Sequence, residues 1–190
     1  MKFEEALQRL IEGNKRFVNS KPIHPNQTSS RCSEVLQGQE PFAVIVGCSD
    51  SRIPPEIIFD QGIGDLFIIR TAGNIVDDIA IGSIEYAVDH LAVQLVVVLG
   101  HGKCGAVTAT VQGGEAHGCI PCILKNIAPA VEKAKKQSGD LTDNAIRNNI
   151  DIVVEKLVSS KPILSKSINK GKLKIIGAYY DIERRAVEIY

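Results

Sequence analysis

"VVVLGHGKCGAVTA" (residues 96–109) decides how this chain is read. An apolar run ends in Gly100-His101-Gly102-Lys103-Cys104-Gly105, and a short helical stretch comes next. The three glycines satisfy G-x-G-x-x-G, the dinucleotide-binding fingerprint. His101 and Cys104 also stand three residues apart, a spacing that suits a metal. Either reading puts a strand, a loop and a helix in sequence. That is the unit of an α/β sheet, in which chemistry gathers at the carboxyl ends of the strands.

Outward from this stretch the same alternation continues. Residues 42–47 (FAVIVG), 66–70 (LFIIR), 94–100, 172–181 (KLKIIGAYYD) and 186–190 (AVEIY) read as strands, the last a short edge strand. Residues 3–17, 28–37, 77–91, 119–137 and 142–160 read as helices, the first interrupted or ended near Gly13. Continuous apolar strands bounded by Pro and Gly belong in a sheet covered on both faces. The expected fold is α/β: a central, mainly parallel sheet of four to five strands flanked by helices. Residues 1–190 form a single α/β domain in this reading, with residues 1–38 as an N-terminal helical arm.

The dinucleotide reading fails beyond the third glycine. The helix after Gly105 is short and runs into QGGEAHG, and no strand stands where the ribose-binding acid would be needed. A phosphate-binding P-loop fails as well, because Gly102-Lys103 is succeeded by Cys104 and not by Ser or Thr. The metal reading gains from the first strand, which ends in Gly47-Cys48-Ser49-Asp50-Ser51-Arg52. If the two strands are neighbours, Cys48, Asp50, His101 and Cys104 converge at one edge of the sheet. Two thiolates, an imidazole and a carboxylate make a tetrahedral zinc set. Arg52, two residues past Asp50, is placed for its guanidinium fork to compete for the carboxylate.

Composition narrows the partners. Lys+Arg and Asp+Glu both number 22, so the formal net charge is zero, which argues against nucleic acid or an anionic membrane as the main partner. The longest apolar run is too short to span a bilayer. Five cysteines with no secretion signal suggest reduced thiols and a cytoplasmic protein. Cys119 and Cys122, in HGCIPC, open a helix with Pro121 in its first turn, and read as structural or incidental thiols. A redox pair is the competing reading for them.

Taken together, CSDSR (48–52), HGKCGA (101–106), EGNKRF (12–17), DLFIIRTAGN (65–74), SIEYAVDHL (83–91) and GKLKIIGAYYD (171–181) resemble a β-class carbonic anhydrase over nearly the whole chain. The resemblance implies one zinc ion per subunit on Cys48, His101 and Cys104, with Asp50 either on the metal or paired with Arg52. It implies reversible hydration of carbon dioxide to bicarbonate and a proton by zinc-bound hydroxide. Two thiolates make a weaker Lewis acid than imidazoles, so somewhat higher pH is expected for activity. The resemblance also places Gln39, Phe67, Ala72 and Tyr86 around the substrate, with Gly105 beside the metal. Ile53, just past the dyad, can line the same pocket. A homodimer whose pocket draws on both subunits, or a homotetramer, is implied. Some family members have a second bicarbonate site that uses a tryptophan, and this chain contains none. A carbonyl sulfide or carbon disulfide hydrolase on the same scaffold, and a non-catalytic zinc-binding protein, are the other readings of the ligand set.

Overall fold

A computed structural model describes residues 1–190. Five strands form one sheet in the order β2-β1-β3-β4-β5. β1 (Ala43–Cys48) pairs in parallel with β2 (Leu66–Thr71) on one side and with β3 (Leu95–His101) on the other. β3 pairs in parallel with β4 (Lys174–Asp181), and β5 (Ala186–Ile189) closes the far edge antiparallel. Every residue of β1 and β3 is buried. Their unbroken apolar runs follow from that position, because both faces of a central parallel strand are covered. The five expected strands fall within two residues of these bounds.

Eight α-helices accompany the sheet: α1 (Phe3–Val18), α2 (Ser29–Glu34), α3 (Pro55–Ile58), α4 (Asp78–Asp89), α5 (Gly105–Gln112), α6 (Ile120–Ala134), α7 (Leu141–Ser159) and α8 (Ile163–Asn169). Two of the long ones begin on an aspartate cap. Asp77 accepts from the Ala80 N–H at the start of α4, and Asp140 accepts from the Asp143 N–H at the start of α7. α3 and α8 escape a periodicity reading because one or two turns carry too few residues to show a 3.6-residue repeat.

α1 corrects the sequence reading at Gly13, where an interruption is expected and none occurs. Gly13 lies so close to the Phe59 carbonyl that any β-carbon would collide with it. The glycine marks a close crossing and not a helix stop. Asn14 beside it donates to Ile58 O and Arg185 O and accepts from the Val187 N–H, at 2.9–3.2 Å. Arg16 grips Asp60 at 2.5 Å and Arg9 grips Asp65 at 2.8 Å. EGNKRF is therefore the docking face of α1. Its Ala6 and Leu10 are buried in the core of their own chain.

Candidate metal centre

The strand order sets the site. The chain leaves β1 toward β2 on one side, then returns to build β3 on the other, so the loops after β1 and β3 part company. Parallel sheets bind ligands at such a switch point. Val44 lies level with Val96 and Gly47 with Leu99, which brings the ends of the two strands together. Cys48 is the last residue of β1, His101 the last of β3, and Cys104 immediately precedes α5. One ligand atom from each of these buried residues lies within 4.8 Å of the others.

This donor set fits a thiophilic metal. The two Sγ atoms are 4.0 Å apart. Tetrahedral zinc with Zn–S near 2.3 Å calls for about 3.8 Å. His101 is fully buried; its Nδ1–H donates to Gly102 O at 2.9 Å, which fixes the tautomer. Its Nε2 has no hydrogen-bond partner, although buried polar atoms are nearly always paired. A lone pair left free in this way, in a cluster with two sulfurs, could hold a metal. The Cys48 thiol is held low, to about 4: a hydrogen bond from the Cys104 thiol outweighs the opposing effect of burial, and the Asp50 backbone and the Gly73 N–H assist. The same contact with Cys48, together with burial, pushes Cys104 up. The Gly73 N–H reaches Cys48 Sγ at 3.3 Å, and Gly73 O is held in turn by the buried Asn149 amide at 2.8 Å.

Asp50 stands at the rim. Arg52 Nε and Nη2 donate to its two oxygens at 2.9 and 2.7 Å, and the Arg52 backbone N–H adds a third bond at 3.0 Å. Hydrogen bonding by Arg52 holds the Asp50 carboxyl at about 2 against the effect of burial, so it is a carboxylate at neutral pH. Its Oδ2 lies 4.0 Å from His101 Nε2. Of the four candidate ligands, three converge and the fourth is engaged by Arg52. Arg52 Nη2 also donates to Lys103 O, at 3.1 Å. Arg70 supports the turn from below, donating to Cys48 O at 2.7 Å and to Asp50 O.

Three of the six expected pocket residues lie at this end of the sheet. Ile53 is buried just past the dyad, Ala72 opens the 3-10 turn that contains Gly73, and Gly105 begins α5. Gln39, Phe67 and Tyr86 do not join them within one chain. Phe67 is level with Val44, four residues before Cys48, or about 13 Å along the strand. Tyr86 on α4 faces Phe67 with ring centroids 6.5 Å apart. Gln39 precedes β1 and shares a cleft with Arg9, Phe42 and Asp65.

Two of the loop glycines are required by close neighbours. The left-handed residue of the loop is Lys103, at φ 56°. A β-carbon at Gly100 would meet Ile150 at 2.5 Å, and one at Gly102 would meet the Tyr179 hydroxyl at 2.8 Å. These two glycines admit neighbours, and Gly105 has open space. Sequence reasoning assigns no part in the cluster to Gly73, Asn149 or the Lys103 carbonyl. RTAGN is visible as a motif, but a backbone N–H aimed at sulfur leaves no mark in sequence. Cys32, Cys119 and Cys122 are free, exposed and outside the cluster.

Fold and donor set together define the class: an α/β protein with a buried Cys-His-Cys centre at the switch point of a parallel sheet, beside an Asp-Arg pair. The family profile described as carbonic anhydrase matches residues 43–187. Carbonic anhydrase 2 of Mycobacterium tuberculosis is 40% identical over 182 residues, covering 94% of this chain and 88% of its own. The solved β-carbonic anhydrase CcaA superposes with a TM-score of 0.76 at 28% identity, over 97% of this chain and 94% of that one. A tetrameric β-carbonic anhydrase of Sordaria macrospora has the same fold, with a TM-score of 0.77 at 24% identity, over 97% and 96% of the two chains. The chain belongs to the β-carbonic anhydrase family, whose general reaction is the hydration of carbon dioxide.

Proposed function

We propose that this chain catalyses the reversible hydration of carbon dioxide with one zinc ion per subunit, held by Cys48, His101 and Cys104. The observation that carries this reading is the unpaired, fully buried Nε2 of His101, facing two sulfurs beside the Asp50-Arg52 pair. When bound, zinc supplies a Lewis acid that lowers the pKa of water toward 7 and so provides a nucleophile near neutral pH. Arg52 keeps the Asp50 carboxylate turned to itself, so that it does not compete for the metal. Asp50, an acceptor only, holds a hydrogen of the attacking water and aims the oxygen lone pair at the substrate carbon. Ile53, Ala72 and Gly105 form the near wall of the substrate pocket.

The far wall comes from a second copy of the chain, which contributes Gln39, Phe67 and Tyr86. β2 is an outer strand whose residues are all half-buried, and Ile79 on the adjacent α4 is 81% exposed. An apolar edge of this kind favours a self-complementary partner. The active form in this reading is a homodimer or homotetramer, built from single-domain subunits with residues 1–38 as the arm. Thiolate ligands need a reducing compartment, which suits the cytoplasm, and no helix is long and apolar enough to cross a membrane. Carbon dioxide is preferred over carbonyl sulfide or carbon disulfide because the relatives compared above are carbonic anhydrases.

Stopped-flow carbon dioxide hydration, run beside elemental analysis, tests the proposal. One zinc per chain and turnover abolished by a strong chelator are expected. Stoichiometric zinc with no hydration would leave a metal-binding protein, and no metal in reduced protein would end the reading.

A further inference from the structure

Two cysteines outside the metal centre face solvent together. They lie in His117-Gly118-Cys119-Ile120-Pro121-Cys122, and both are free and exposed. α6 begins at Ile120, so Cys119 is its N-cap residue and Cys122 the third residue of the helix. These are the two positions whose side chains reach across to each other's backbone in a capping box. Here that reach has no capping use: the Cys119 side chain makes no cap hydrogen bond. The Cys122 N–H instead closes onto Cys119 O at 3.1 Å. Neither thiol packs in the core. Pro121 between them stiffens the first turn, where its missing N–H costs nothing. The Asn126 amide donates to Cys122 O at 2.8 Å and holds the same turn. A structural role for these thiols therefore has no contact to rest on. What the turn provides is two exposed, uncommitted thiols at C-x-x-C spacing on one helical turn.

We propose that Cys119 and Cys122 form a dithiol–disulfide site that exchanges with low-molecular-weight disulfides, separately from the metal centre. One thiolate attacks a small disulfide RS–SR, forms a mixed disulfide and releases RS⁻. The second thiolate attacks the protein sulfur of that mixed disulfide, closes the Cys119–Cys122 bond and expels the second RS⁻. The protein pair loses two electrons and two protons; the small disulfide gains two electrons, and the protons pass to the released thiolates. Cys32 serves as a control, since it is exposed on α2 and no part of the C-x-x-C pair. The buried Cys48 and Cys104 are the opposite control, because both are packed into the core.

The zinc-loaded protein is treated with oxidised glutathione, quenched by alkylation and mapped by peptide mass. The expected product has the Cys119–Cys122 pair lacking two hydrogens, glutathione on Cys32, and Cys48 and Cys104 unmodified with zinc retained. C119S and C122S each remove the closing step, so glutathione should persist on the remaining cysteine at least about tenfold longer than on the native pair. Both variants should hydrate carbon dioxide at the native rate, which verifies their folding independently. Glutathione adducts on Cys119 and Cys122 as long-lived as that on Cys32 would overturn the proposal. So would a bond from Cys32 to either one, or reaction of Cys48 and Cys104 ahead of the exposed pair.

Discussion

Asp50 meets Arg52 at the mouth of the metal centre, and Asp60 meets Arg16 beneath the N-terminal helix. Both contacts are short ion pairs, yet their settings differ. Asp50 and Arg52 lie two residues apart on one turn, with side chains 15% and 50% exposed. Asp60 and Arg16 lie 44 residues apart, with side chains 1% and 28% exposed. Asp60 also accepts from the Ile23 and His24 N–H groups at 3.1 and 3.0 Å. A pair made locally and open to water can be exchanged without disturbing the fold. A pair that joins distant segments and is shut away from water cannot, because its loss leaves a charge unmatched. Proximity alone does not assign a role to an Asp-Arg pair; sequence separation and burial do.

The largest effect expected from this contrast is on rate. Arg52→Ala should lower carbon dioxide turnover by about 100-fold, the scale of losing one preorganised electrostatic group. Its zinc content and melting temperature should match the native protein, as read by stopped flow, elemental analysis and calorimetry. A large drop in melting temperature would erase the distinction between the two pairs. Asp60→Asn should do the reverse. Breaking a largely buried pair costs about 3 kcal/mol, or about 6–12 °C in a chain of this size. Turnover per folded molecule should hold; a parallel loss of turnover would tie α1 docking to the chemistry.

A smaller effect concerns pH. Burial raises the Asp60 carboxyl, but Arg16 and the two backbone N–H groups outweigh it and leave Asp60 below the usual carboxylate value. As pH falls, the unfolded chain takes up this proton first, near the ordinary value of about 3.9. The stabilisation is thus fully present above that value and is lost as pH falls through the lower, folded one. The gap in melting temperature between native protein and Asp60→Asn should therefore narrow below about pH 4. A gap that widened there would mean that burial, and not the ion pair, governs Asp60.

Legibility in the sequence divides along the same line between local and distant. The strands can be read because burial on both faces leaves unbroken apolar runs. Cys48, His101 and Cys104 can be read because donor residues at strand ends are chemically conspicuous and the adjacency of β1 and β3 brings them together. The Asp50-Arg52 fork is a two-residue pattern and needs no tertiary knowledge. Gly13 misleads because its cause, the Phe59 carbonyl, lies far along the chain. The Asn149 bond to Gly73 O spans 76 residues and has no local signature. Gln39, Phe67 and Tyr86 come from resemblance alone, and in one chain they lie away from the metal centre.

Cys48 and His101 are 53 residues apart and become neighbours only when β3 docks beside β1. An ion seated there would grip the folded chain far more tightly than any unraveled form of it. Each tenfold rise of free ion above Kd then deepens the native state by about 1.4 kcal/mol. If the proposed zinc is that ion, its scarcity would shorten the protein's lifetime as well as silence it.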